Sequence, residues 1–271
     1  MELTVRGRTV FAATGGKRCD PALPAVVFVH GAGMDHSVWA LQTRYFANHG
    51  RAVLALDLPG HGRSPGPALD SIETAGDWLI DLVSASGAQR ATLVGHSMGA
   101  IIALEAAARA ALRPGGGCAG LSIERLAMLG VAPRMPVHAD LLKAASAGDH
   151  AALEMMVGWG LGRRAQLGGN AAPGLWISGG SLRLLERGDS TALATDLAAC
   201  NAYRRGVDAA GAVACPTLLL LGEADRMTPP RQATEFATAF KDARVTVLPG
   251  AGHLMMIEQP GETLDALVGF I

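Results

Sequence analysis

Two spacings of apolar residues alternate along most of the chain. Short runs are apolar at nearly every position: AVVFVH (25–30), AVLALD (52–57), ATLVGH (91–96), ERLAMLG (124–130), TLLLLG (217–222) and RVTVLPG (244–250). A strand wetted on one side alternates apolar and polar residues. Several of these runs do not, which predicts strands of a parallel sheet covered on both faces. Between them lie longer stretches with helical spacing, near 36–49, 70–86, 98–112, 229–240 and 261–271. The opening LTVRGRTVFAA (3–13) reads as a hairpin. Such alternation specifies an α/β fold: a mostly parallel central sheet flanked by helices, with right-handed crossovers.

Residues 133–209 break this rhythm, with no run of strand character. They predict helices near 137–147, 149–158, 179–187 and 190–204, separated by glycine-rich turns such as LGGNAAPG (167–174). The expected organisation is a core of 1–132 and 210–271, interrupted by a helical insertion at 133–209. The glycine-rich RPGGGCAG (113–120) and the stretch 13–25 read as loops.

Composition narrows the function. A chain of 271 residues, 49% hydrophobic and 17% charged, buries a sizeable core. Its formal net charge of −1, with Lys and Arg scattered, argues against nucleic acid or an anionic membrane surface as partner. No uncharged apolar stretch reaches the roughly 18 residues of a membrane span. MELTVRGRTV lacks the basic start and apolar run of a secretory signal. Cys19, Cys118, Cys200 and Cys215 lie far apart without C-x-x-C spacing. They read as reduced structural thiols of a cytoplasmic protein and offer no zinc site. The expected partner is a small-molecule substrate, with no metal or organic cofactor and the chain a monomer or homodimer.

One serine stands out against this background. In ATLVGHSMGAIIALEA (91–106) a strand runs into Gly95 and a helical run begins after Gly99, with Ser97 at the join. G-x-S-x-G between strand and helix is the context of a nucleophile elbow. The tight turn strains the serine backbone and lifts its hydroxyl above the sheet. Glycines on both flanks remove side chains that would collide there, and the new helix aims its free N–H groups at the reacting centre. A serine hydroxyl needs a base. Of eight histidines only His253 lies in the last hundred residues, just past RVTVLPG. An acid must orient that base: Asp225, after the strand-like TLLLLG, with Glu223 as the alternative. Ser97, Asp225 and His253 thus come from three strand ends on one sheet edge, where open α/β sheets bind ligands. Acids ahead of helices also serve as N-caps. Here Thr228 and Pro229 are expected to supply the cap and the first helical residue, which leaves Asp225 for His253.

With VHGAG (29–33), DLPGHGRS (57–64), VGHSMG (94–99), GEADRMTP (222–229) and PGAGHLMMIEQP (249–260), the chain resembles the α/β-hydrolase family over nearly its whole length. The chain order Ser, Asp, His is that of the family. The resemblance implies that 133–209 is a helical cap over the site. It implies an oxyanion hole made of the backbone N–H groups of Ala32 and Met98. It also implies a serine hydrolase acting through an acyl-enzyme, best matched to a small or medium, largely apolar carboxylic ester. The same triad serves C–C bond hydrolases of ring-cleavage products, lactonases and amidases, and some relatives keep it as slow-turnover ligand sensors. Epoxide hydrolases and haloalkane dehalogenases of the family carry an aspartate where Ser97 stands, which disfavours them.

Plainer roles compete at the remaining positions. His30 and His61 belong to tight loops, and His96 to packing below the elbow. His36, near the oxyanion loop, and Met155, Met156, Trp159 and Trp176 in the insertion are candidates for a substrate pocket. Each is equally open to internal packing. Arg134, Arg163 and Arg164 read as solvated surface.

Overall fold

The computed structural model describes residues 1–112, 121–169 and 175–271. The expected loop at 113–120, with Cys118, and residues 170–174 of the expected glycine-rich turn lie outside the described residues.

β1 (Glu2–Val5) and β2 (Arg8–Ala13) form the opening hairpin. Arg6 and Gly7 turn it with φ of 48° and 76°, the two left-handed positions of a tight two-residue turn. β3 (Ala25–Val29), β4 (Ala52–Leu56), β5 (Arg90–His96), β6 (Ser122–Leu129), β7 (Thr217–Gly222) and β8 (Ala243–Leu248) complete the sheet. Its order is β1-β2-β4-β3-β5-β6-β7-β8. β2 runs antiparallel to β1 and β4, and every later pair is parallel. All residues of β3, β4 and β7 are buried, so their unbroken apolar runs have the cause anticipated above. β8 is an edge strand with only Leu248 buried, and its charged and polar residues fall on a half-wetted surface.

The chain passes from β3 to β4 on one side and returns to β5 on the other. The order therefore reverses beside β3, and the carboxyl ends of β3 and β5 flank a crevice. Phe28, Leu54, Leu93 and Ile101 are fully buried beneath it. Burying each such side chain contributes about 1.5–3 kcal/mol, and this packing is the rigid base on which the strand-end loops stand.

A 3-10 turn at His36–Trp39 leads into α1 (Ala40–Asn48), followed by α2 (Ile72–Ala85) and α3 (Met98–Leu112). Between β6 and β7 lie α4 (Ala139–Ser146), α5 (Ala151–Gly160), α6 (Arg163–Gln166), α7 (Ile177–Glu186), α8 (Ser190–Ala202) and α9 (Gly206–Ala212). α10 (Pro230–Ala237), α11 (Met255–Glu258) and α12 (Pro260–Val268) close the chain. Within the insertion α4 packs on α5 and α8, and α5 on α7. α9 packs on α3 instead, so the chain has rejoined the sheet layer by Gly206. α6, α9 and α11 carried no sequence signal. They are short, and GVDAAGA holds two poor helix formers, so packing rather than propensity sustains α9.

Candidate active site

Ser97 joins β5 to α3 with φ 53°, a left-handed value that a residue bearing a side chain seldom adopts. Its own backbone holds it there. The Ser97 N–H donates to Leu129 O at the end of β6 at 2.9 Å, and its carbonyl accepts from Ala100 N–H at 2.9 Å and Ile101 N–H at 3.3 Å. The flanking glycines are steric necessities. A Cβ on Gly95 would strike the Gly99 backbone, and one on Gly99 would lie 2.5 Å from His30 O.

His253 is fixed at three points. Its N–H donates to Gly160 O at the end of α5 at 2.7 Å, and its carbonyl lies 2.9 Å from His96 Nε2. Nδ1 lies 2.8 Å from Asp225 Oδ2. A carboxylate accepts, so Nδ1 carries the hydrogen and Nε2 of the neutral ring keeps its lone pair. Nε2 is buried and has no hydrogen-bond partner among the described residues. Asp225 accepts from Met227 N–H at 2.8 Å, Thr228 N–H at 2.9 Å and the Thr228 hydroxyl at 2.7 Å as well. Burial works to raise the Asp225 pKa, but attraction to the His253 ring, its hydrogen bond and the Thr228 donors outweigh it and hold the carboxyl below its ordinary value.

Two details differ from the sequence expectation. Pro230, not Pro229, is the first residue of α10, and no side chain caps that helix. Thr228 is drawn instead to the charged acceptor beside it: its hydroxyl donates to Asp225 and lies 3.2 Å from His253 Nδ1. Glu223 is exposed and accepts from Gly250 N–H at 2.9 Å, so it braces the β8 turn.

Ser97 and His253 line one cavity of about 310 Å³ with Gly31 and Ala32. Its walls include Met34, Leu141, Met156, Trp159, Leu184 and Leu197. Arg226, exposed, is the only arginine, lysine or carboxylate among the described lining residues. The Ala32 and Met98 N–H groups donate no hydrogen bond within the described residues; Met98 is the first residue of α3, where N–H groups have no helical acceptor.

Three expected pocket residues lie elsewhere. Trp176 precedes α7 with 71% of its surface exposed, its ring folded over Gly179, where a side chain would collide. Met155 is half-buried against the core, because successive residues of a helix diverge by about 100° and Met156 takes the cavity side. His36 is pinned to Asp57: both its N–H and Nδ1 lie 2.8 Å from Asp57 Oδ1. His36, Asp57 and Asp35 cluster closely enough to suit a cation. Their atoms are spoken for, since Asp35 takes Ser37 and Arg187, and Asp57 takes His36 and Arg63.

Two further buried carboxylates, each bonded to a loop that carries a candidate catalytic residue, also escaped sequence reasoning. Glu258 accepts from the N–H groups of Gly162 at 2.9 Å, Gly252 at 3.1 Å and Leu254 at 3.1 Å, so it grips both neighbours of His253 and the insertion. Asp196 of α8 accepts from Gly33 N–H at 2.9 Å and lies 2.9 Å from His61 Nε2. A signal existed for Asp196. It shares a helix face with Leu193, Leu197 and Cys200, which makes it an acid on an apolar stripe.

Known proteins place this geometry in a family context. A model described as the alpha/beta hydrolase family matches residues 26–266. The chain is 38% identical over 78 residues to (E)-2-((N-methylformamido)methylene)succinate hydrolase of Acinetobacter baylyi, covering 28% of this chain and 29% of that protein. It is 26% identical over 270 residues to sn-1-specific diacylglycerol lipase ABHD11 of Mus musculus, covering 93% and 82%. The chain spans 29%, 31% and 30% of the first three curated relatives it matches. The enol-lactonase structure from Burkholderia xenovorans superposes with a TM-score of 0.85 at 24% identity, covering 100% of this chain and 99% of that one. That likeness is one of fold. Among the described residues no helix is long and apolar enough to cross a membrane.

Proposed function

The chain belongs to the alpha/beta hydrolase family, and we propose that it is a serine hydrolase cleaving a small or medium, largely apolar carboxylic ester through an acyl-enzyme. One arrangement supports this most: a buried His253 held by Asp225 at 2.8 Å, its Nε2 unengaged, sharing a cavity with a serine on a strained elbow. In this reading Ser97 Oγ attacks the ester carbonyl while His253 Nε2 takes its proton. The oxyanion settles on the N–H groups of Ala32 and Met98, which are in place before the charge develops. His253 then hands the proton to the departing alcohol. Water, deprotonated by the same nitrogen, attacks the acyl-Ser97 ester, and collapse of that second intermediate releases the acid and returns the proton to Ser97.

The apolar walls favour an acyl chain over a strongly polar substrate. Residues 133–209 act as the cap that selects it, because most of those wall residues come from this segment. Steady-state rates on p-nitrophenyl esters of increasing chain length, together with fluorophosphonate labelling, test the reading. The wild type should turn over many times and label once, and Ser97→Ala should do neither. Labelling that persists in Ser97→Ala, or a lactone or C–C substrate turned over far faster than any ester, would overturn it. A single slow turnover would point to a ligand sensor instead.

A further inference from the structure

Two histidines beside the Ala32 loop differ in charge, and the partners of their ring nitrogens show it. His30 Nδ1 lies 2.8 Å from Gly31 O, and its Nε2 accepts from Leu58 N–H at 3.1 Å. One acceptor and one donor define a neutral ring. Burial, then the neighbouring His61, lowers its pKa to about 4. His61, with ring centroids 5.0 Å away, faces two acceptors: Nδ1 is 3.0 Å from Pro59 O and Nε2 is 2.9 Å from Asp196 Oδ2. A peptide carbonyl and a carboxylate do not donate, so both ring nitrogens carry hydrogen and the ring is an imidazolium. His61 and Asp196 are 3% and 2% exposed. They form a buried ion pair between the core and α8.

The same Asp196 oxygen takes the Gly33 N–H. Ala32 is thereby bracketed. In a trans peptide the C=O and N–H point in opposite directions, and no described peptide bond is cis. His30 holds the Gly31 carbonyl, so the Ala32 N–H of that same peptide is aimed away from His30. A Cβ built on Gly31 would lie 3.3 Å from Ser97 Cβ, which shows how closely this peptide borders the serine. Asp196 holds the N–H of the next peptide. Both peptide planes around the Ala32 α-carbon are fixed, one by a core histidine and the other by a carboxylate of the insertion.

We infer that Asp196, paired with cationic His61, is a positioning residue that sets the Ala32 N–H as an oxyanion donor, so that the insertion completes the catalytic apparatus as well as covering it. This rests on the reading of Ala32 given above. The titratable groups around His61 are Asp196 and Asp189 from the insertion, Asp57 from the end of β4 and His30 from the end of β3. Burial alone would depress the His61 pKa, but Asp196, the Pro59 carbonyl and Asp57 lift it above the ordinary 6.5.

Deleting one oxyanion donor outright costs about 10²–10³ in kcat. A donor that has lost its brace should lose less. Asp196→Ala should therefore lower kcat on a short p-nitrophenyl ester about 10- to 100-fold while KM changes by less than about threefold. It should weaken a trifluoromethyl ketone, which forms an oxyanion on Ser97, by the same factor as kcat/KM. Asp196→Asn keeps an acceptor for Gly33 and should recover most of the loss. A folded Asp196→Ala with unchanged kcat and ketone affinity would overturn the inference. If Asp196→Ala does not fold, ring ¹⁵N shifts of His61 decide. The wild type should show both nitrogens protonated at pH 6.5, the ordinary imidazole value, and Asp196→Asn only one, whereas a neutral wild-type ring there would sink the ion pair. Activity surviving in Ser97→Ala would defeat the proposed function instead, and the nitrogen shifts would still report on the pair.

Discussion

The two loops that flank Ser97 hold buried charge by different means. On the His253 side, Asp225 is surrounded by two backbone N–H groups, a hydroxyl and His253, and Glu258 by three backbone N–H groups and no cation. On the Ala32 side, Asp196 lies 2.9 Å from His61 Nε2, the ring inferred above to be an imidazolium. Peptide dipoles do not titrate, whereas an imidazolium does. Glu258 shows the limit of dipoles alone: burial lifts its pKa despite three donors. Asp225, with attraction to the His253 ring and its hydrogen bond added, stays below its ordinary value. Both sides reach into the insertion, through Gly160 and Gly162 on one and Asp196 on the other.

The comparison breaks first at the ion pair. His61→Gln leaves the Asp196 carboxylate buried without its cation and should cost about 3–5 kcal/mol of stability, read as a lower urea midpoint. Its pH dependence separates the two sides. The His61 pKa is raised in the fold, so its contribution is fully present below the ordinary 6.5 and is lost as pH rises through the raised value. The Asp225 pKa is lowered, so its contribution is present above the ordinary 3.8 and is lost as pH falls through the lowered value. The stability gap between wild type and His61→Gln should therefore narrow in alkali. The gap to Asp225→Asn should narrow in acid. Gaps that shift the same way would show that both loops hold charge alike.

Next in size is the acid itself. Asp225→Asn removes the charge that stabilises the His253 imidazolium and favours the wrong tautomer. It should lower kcat by at least about 10²-fold, or roughly 2.7 kcal/mol. Glu223→Gln, which only loosens the turn at Gly250, should stay within about tenfold. Reversed effects would move the role of acid to Glu223. A smaller step sharpens the same side. Thr228→Val removes the hydroxyl that donates to Asp225 and should cost about tenfold in kcat, the low end for a hydrogen bond to a charged group. Thr228→Ser should restore it. Equal losses in the two variants would mean that the methyl group matters rather than the hydroxyl.

What the sequence disclosed and what it hid divide along the same physical line. The strands, most helices and the positions of Ser97, Asp225 and His253 each rest on neighbours within a few residues: an apolar run, a glycine at a forced turn, a strand end. Asp196 meets Gly33 across 163 positions, and Glu258 meets Gly162 across 96, so no local pattern names those pairs. Thr228 misled because a threonine before proline is a sound cap locally, and a nearby carboxylate outbid the helix end. Trp176 misled because a tryptophan reads the same in sequence whether it fills a pocket or lies over a glycine.

The smallest expected effect concerns that last point. Trp159 and Trp176 looked alike in sequence, but Trp159 lines the cavity and Trp176 is 71% exposed. An indole bordering the acyl path limits length and contributes contact, and one or two methylenes in such a pocket are worth about 1–3 kcal/mol at most. Trp159 is only half-buried, against His138 at 5.5 Å between rings, so part of that contact is shared with solvent. Trp159→Ala should therefore shift the optimum toward longer p-nitrophenyl esters and change the ratio of long-chain to acetyl kcat/KM by about three- to tenfold, at or below the low end of that range. The acetyl ester, with the least acyl chain to place against the wall, should be nearly unaffected. Trp176→Ala should leave the whole ranking in place. A uniform loss across all chain lengths in Trp159→Ala would mean that the indole supports the fold of the insertion. A shifted ranking in Trp176→Ala would mean that the pocket extends past Gly179 when substrate binds.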